Sequence, residues 1–93
     1  MKHMKYSELK GKEYKIILRV EWYDAASDWN QNWLHKDNLH KIELEKCINW
    51  GCLVHVDDKS IILVPALADG DYIYGRFIIP ESNIISIKQI DVV

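Results

Sequence analysis

Soft ligands and nucleophiles are few in this chain of 93 residues: Cys47 and Cys52, with His3, His35, His40 and His55. The chemistry they would support is metal binding or thiol catalysis, and their spacing argues against both. Cys47 and Cys52 are five residues apart, which on a strand puts them on opposite faces; Cys52 and His55, three apart, are also opposed. No C-x-x-C pair is present. Cys47 and His55 share a face but stand ~26 Å apart along an extended strand, far beyond the hydrogen-bond reach of a nucleophilic dyad. Nothing in the sequence asks His35 or His40 to fold back onto a thiol. There is no G-x-S-x-G, no Walker loop and no helical H-E-x-x-H. The carboxylates are numerous, and surface solvation accounts for them. The expectation is a protein with no catalytic residue, no metal and no cofactor.

A denser constellation lies in Glu21–His35, EWYDAASDWNQNWLH, with three tryptophans, a tyrosine and two aspartates in fifteen residues. Aromatic faces beside carboxylates suit a cation, such as a basic or proline-rich peptide. The candidate binding residues are Trp29, Trp33, Asp24 and Asp28, joined by Asp69, Asp71 and Tyr72 from a second turn expected at the same end of the fold. A structural role competes with this one. Trp29 and Trp33 are at i and i+4, where one helical turn would pin the loop over an open end of the core. Trp22 belongs to the core by strand parity.

The elements that must position these residues are strands. Tyr14, Ile16, Leu18, Val20 and Trp22 alternate with Lys15, Arg19 and Glu21, the pattern of a half-buried strand with its even positions inward. Residues 24–46 break that period with Asp, Ser and Asn, and read as a long connection with one or two short helical turns. One is begun by Asp28 and runs to His35; the other is begun by Asn38 and runs to Lys46. A second strand runs from Cys47 to Val56, with Gly51 marking a bend or bulge. Asp57-Asp58-Lys59 is a turn, Ser60–Leu67 a third strand, Ala68–Asp71 a turn and Tyr72–Ile79 a fourth strand. Pro80–Asn83 is one helical turn begun by proline, and Ile84–Ile90 a fifth strand. Five successive strands make an antiparallel meander, and a meander of this size hides its face and edges by curling into a small barrel. The fold expected is all-β: a five-stranded, partly open small barrel over residues 14–93, preceded by a flexible segment, residues 1–13.

Charge sets further bounds. The net charge is −2, which disfavours a broad nucleic-acid face. Lys2, Lys5, Lys10, Lys12 and Lys15 crowd the N-terminal region, where they read as a solvated leader. No apolar run approaches the ~20 residues that span a bilayer, and Met1–Tyr6 lacks the apolar core of a secretory signal. A cytoplasmic protein with reduced thiols is the expectation.

The chain resembles a group of small uncharacterised bacterial, phage or mobile-element proteins. Their shared pattern is W-x-D-[AS], a polar loop with a tryptophan, C-x-x-x-G-x-L-V-x-x-D, an apolar strand, a glycine-bearing strand and I-P-x-x-x-I-x-x-I. Here these are Trp22–Ala25, Trp29 or Trp33, Cys47–Asp58, Ile61–Val64, Gly75 and Ile79–Ile87. The resemblance implies a small Sm-like or Src-homology-type barrel and no activity. Ile79–Ile84 also has the shape of the second Sm signature, I-R-G-x-N-[IV], but Pro80 and Glu81 replace the Arg and Gly of its RNA pocket. A guanidinium to pair with phosphate or stack on a base is missing. The last strand has isoleucines on both faces, so Ile84, Ile85 and Ile87 are expected at a self-association edge. The functional expectation is a non-catalytic interaction module that self-associates and binds a protein or peptide. A nucleic-acid-binding Sm-like protein is the main alternative, and a small metal-dependent or hydrolytic enzyme the remote one.

Overall fold

The structure is a computed structural model that describes residues 1–24, 36–38, 45–69 and 72–91. It is all-β. Among the described residues eight strands run in chain order: β1 (Lys2–Met4), β2 (Ile17–Asp24), β3 (Glu45–Val56), β4 (Ser60–Val64), β5 (Ala66–Ala68), β6 (Tyr72–Tyr74), β7 (Phe77–Pro80) and β8 (Ile84–Gln89). Six form one antiparallel sheet in the order β1-β8-β2-β3-β4-β7, and β5 pairs with β6 in a separate two-stranded sheet. Three short 3-10 turns complete the described elements, at Tyr6–Glu8, Lys36–Asn38 and Glu81–Asn83. No helix among the described residues is long and apolar enough to cross a membrane.

Alternation along β2 works as its pattern demands. Leu18 and Val20 are buried, and Ile16 and Trp22 pack against the core from its margin. The Trp22 indole N–H is satisfied by Asn49 Oδ1 at 2.6 Å, as a half-buried tryptophan requires. Tyr14 departs from the expected face. Its φ is +64°, a left-handed conformation uncommon outside glycine, and its ring lies in solvent. Its N–H donates to the Leu53 carbonyl at 2.7 Å, while Leu53 N–H donates to the Ile16 carbonyl at 3.1 Å. The ladder thus skips Lys15, and the strand parity starts only beyond it.

The core gathers Met4, Leu9, Leu18, Val20, Leu53, Ile61, Leu63, Ile79 and Ile87. Each such side chain contributes about 1.5–3 kcal/mol of transfer free energy. Two of them come from the segment expected to lie outside the fold. Residues 1–13 supply β1, which pairs with β8 from Lys2↔Gln89 to Met4↔Ile87, and they bury Met4 and Leu9. The boundary expected at residue 14 therefore does not hold. Lysines facing water alternate with two apolar anchors that face inward.

Gly51 is buried in β3 where β4 comes close. A Cβ there would sit 2.8 Å from the Val64 carbonyl oxygen and 3.2 Å from Leu63 Cβ. The register irregularity expected at this glycine lies a few residues on, between Leu53 and His55. β3 itself begins at Glu45, so Glu45 and Lys46 are strand rather than the end of a helical turn. The turn after Val56 is held by Asp57, whose Oδ1 accepts from the N–H groups of Lys59 (2.8 Å) and Ser60 (2.9 Å). The Pro80 turn is as expected: Glu81–Asn83 is 3-10, and Asn83 Nδ2 donates to the Tyr23 carbonyl at 2.8 Å.

Two expected strands break in the middle. Pro65 ends β4, and Gly75, at φ +71°, separates β6 from β7. Between these breaks the chain leaves the main sheet as the β5–β6 hairpin, with Ala66↔Tyr74, Leu67↔Ile73 and Ala68↔Tyr72 opposed. A closed five-stranded barrel is not what the pairing gives, because β1 and β7 are the two ends of the sheet.

Candidate functional site

The β5–β6 hairpin is the least expected feature of the surface. Every described residue of both strands is exposed, and neither strand carries a charge. Residues directly opposite in an antiparallel pair share a face. Leu67 and Ile73 therefore form one side of the arm, and Tyr72 and Tyr74, over Ala68 and Ala66, form the other. Exposure reaches 73% at Tyr72 and 78% at Tyr74, with 49% at Leu67 and 42% at Ile73. An isolated two-stranded hairpin is marginal in water, so an arm with two apolar sides presents a surface that a partner can cover.

Beside the arm runs a trough of about 450 Å³, walled by Trp50, Ile17 and Cys52 on one side and by Pro65 and Leu67 on the other. A second hollow of about 580 Å³ shares Ile17, Cys52 and Leu67 with it and adds Tyr14 and Lys15. The wall is the outer face of β2–β3, where the register sets Ile17 against Cys52, Arg19 against Trp50 and Glu21 against Ile48. Trp50 is 51% exposed, and Ile48 two residues along is also exposed. The Arg19 guanidinium carbon lies 5.4 Å from the Trp50 ring centroid, in cation–π range.

Electrostatics on this face are internally balanced. Glu21 accepts from Arg19 and, at 2.9 Å, from Lys46. The hydrogen bond from Arg19, then that from Lys46, holds the Glu21 carboxyl down at about 2. Both cations are thus engaged by one carboxylate, leaving the indole and the isoleucines as the dominant chemistry.

The predicted site residues are only partly brought together. Tyr72 and Asp69 belong to the arm and its turn, both exposed. Asp24 is exposed at the end of β2, seven residues beyond Ile17, the β2 residue that lines the trough beside the arm. Trp29, Trp33, Asp28 and Asp71 lie outside the described residues. Of the self-association edge expected at Ile84, Ile85 and Ile87, Ile87 does not stand at an edge: it pairs with Met4 of β1 and Val20 of β2 and is buried in the core. β1 reaches β8 only from Ile87 to Gln89, so Ile84 and Ile85 lie beyond its cover, and Ile85 is exposed. The two ends of the sheet are blunted. On β7, Glu81 N–H donates to the Lys59 carbonyl at 2.8 Å, so the hydrogen-bonded pairs fall at 59/81, 61/79 and 63/77. That turns Ile78 and Pro80 outward, and proline has no N–H to offer. β1 presents Lys2 and His3, whose charge and polarity discourage strand addition.

Sequence reasoning missed Trp50, Leu67, Ile73 and Tyr74. The signal available was the bracketing of an apolar hairpin by Pro65 and Gly75, which marks where a strand leaves its sheet.

Cys47 and Cys52 are free thiols on opposite faces of β3, and burial pushes the Cys52 thiol up, away from thiolate reactivity. His55 Nε2 meets Asp57 Oδ2 at 2.9 Å at the β3–β4 turn. Among the described residues no group of three or more His, Cys, Asp or Glu side chains converges. No family model, curated protein or solved structure matches the chain.

Proposed function

We propose that this protein is a non-catalytic interaction module, self-associating and cytoplasmic, that takes a protein or peptide partner in the trough between Trp50 and the β5–β6 arm. The observation that carries this reading is the arm itself, a hairpin apolar on both sides and exposed along its whole described length beside a half-exposed tryptophan. Monomeric proteins rarely leave patches beyond about 300–600 Å² without using them. Contact through Trp29 and Trp33, as the sequence suggests, belongs to the same proposal as a second segment reaching the partner. So does the small, partly open Sm-like barrel shared with small phage or mobile-element proteins. What supports the barrel is the strand order β8-β2-β3-β4-β7, in which the first and last strands of the meander pair, with a 3-10 turn before the last.

Selection from a phage-displayed library of random peptides tests the function. The expected result is enrichment of apolar or aromatic peptides whose binding falls at least about tenfold in a folded Trp50→Ser variant, the order of a single interface anchor. Failure to enrich any peptide, or binding indifferent to Trp50→Ser, would contradict it. The rival nucleic-acid reading has its own readout. Tight binding of a single-stranded RNA that weakens steeply with salt would replace the peptide-binding proposal, since phosphate contacts release counterions.

A further inference from the structure

We infer that the occupant of the trough is the β5–β6 arm of a second copy of this chain, the two arms being exchanged across a two-fold axis. This rests on the reading of the arm and trough as the contact surface and names the partner. Two observations support it.

The first is complementarity within one chain. A convex apolar arm and a concave apolar trough lie side by side on the same molecule, with Leu67 belonging to both. A two-fold axis is the operation that lets each arm fill the other's trough and closes the assembly, whereas head-to-tail repetition leaves one arm and one trough open.

The second is area. Aromatic residues bury about 150–250 Å² each and aliphatic ones somewhat less. At the exposures of Ile17, Ile48, Trp50, Leu67, Tyr72, Ile73 and Tyr74, the apolar surface offered is on the order of 700–800 Å² per chain, close to the ~800 Å² per partner of a stable interface.

Sedimentation equilibrium of the full chain from micromolar to millimolar concentration tests this. The wild type is expected to reach twice the 11.0 kDa chain mass. Two variants at exposed positions, Trp50→Ser and the double change Tyr72→Ser with Tyr74→Ser, should keep the wild-type circular dichroism and weaken the dimer by roughly 30-fold or more each. Mixing them supplies the decisive arm. A mixed pair retains one intact arm in one intact trough, so the mixture should form more dimer than either variant alone. A dimer insensitive to both variants would overturn the proposal and the contact-surface reading together. A wild type that stays monomeric, while selected peptides still require Trp50, would overturn the second copy and leave the contact surface standing. Mixed variants that dimerise no better than each alone would overturn the exchanged arms.

Discussion

The Tyr6 hydroxyl donates a 2.8 Å hydrogen bond to the backbone carbonyl of Asp57, tying residues 51 positions apart. That bond fastens the N-terminal segment over the β3–β4 turn, between the burial of Met4 and that of Leu9. Met4→Ala and Leu9→Ala should each destabilise the protein by about 2–5 kcal/mol in urea denaturation, and Tyr6→Phe by about 0.5–1.5 kcal/mol. Values near zero for both alanine variants would return residues 1–13 to the role of a leader outside the fold.

Leu18 is fully buried near the start of β2, between β8 and β3. Leu18→Ala should cost about 2–5 kcal/mol by the same measurement. Ile17→Ala, one residue earlier on the outer face, should cost much less. Equal losses would mean that the two faces of β2 are assigned wrongly.

Gly51 is needed for closeness of approach rather than for an unusual backbone angle. An alanine methyl would meet the Val64 carbonyl oxygen at 2.8 Å, and backbone cannot swing aside as a side chain can. Gly51→Ala should therefore destabilise by about 1–3 kcal/mol, the range of an overpacked core. Gly11 makes a control of a different kind. It has φ +87° with nothing near its absent Cβ, so an alanine there meets only backbone strain. A neutral Gly51→Ala would mean that β3 and β4 are farther apart at this point.

Acid should reveal the two depressed carboxyls. Glu21 is held at about 2 by Arg19 and Lys46, and Asp57 at about 2 by His55 and the N–H groups of Lys59 and Ser60. Their unfolded values are about 4.3 and 3.9. Folded values below unfolded ones mean that the contribution is complete above those unfolded values and is lost as pH falls toward about 2. The urea midpoint should fall steadily from pH ~5 to pH ~2, and Glu21→Gln should flatten that fall. Parallel profiles for Glu21→Gln and wild type would contradict the role given to this carboxylate.

The parts of this fold legible in the sequence are those where one face is wet and the other dry. From Ile16 to Trp22 the period of two names the buried residues, because the alternate positions Ile17, Arg19 and Glu21 lie on the outer face of β2. The turns at Asp57 and Pro80 were legible for the same kind of reason: a carboxylate that caps backbone N–H groups, and a ring that fixes φ. β1 was not legible. Three residues, Lys-His-Met, are too few to show a period, and the lysines around them resemble a tail. Tyr14 fits the alternation on paper, and only the backbone turn before β2 takes it off the core face. In the sequence β5 and β6 read as ends of longer strands, since an apolar residue on both faces looks the same whether the faces are covered or bare. The bare faces of that hairpin are also why alternation alone does not single out Trp50 and Tyr74, and only the bracketing by Pro65 and Gly75 points to the proposed contact surface.

Amide hydrogen exchange at concentrations below and above the onset of self-association locates the interface. Added protection is expected at Tyr72–Tyr74, Ala66–Ala68 and the Ile48–Cys52 wall. Protection confined to β1, β7 or the outer face of β8, with the arm exchanging at the same rate throughout, would contradict it.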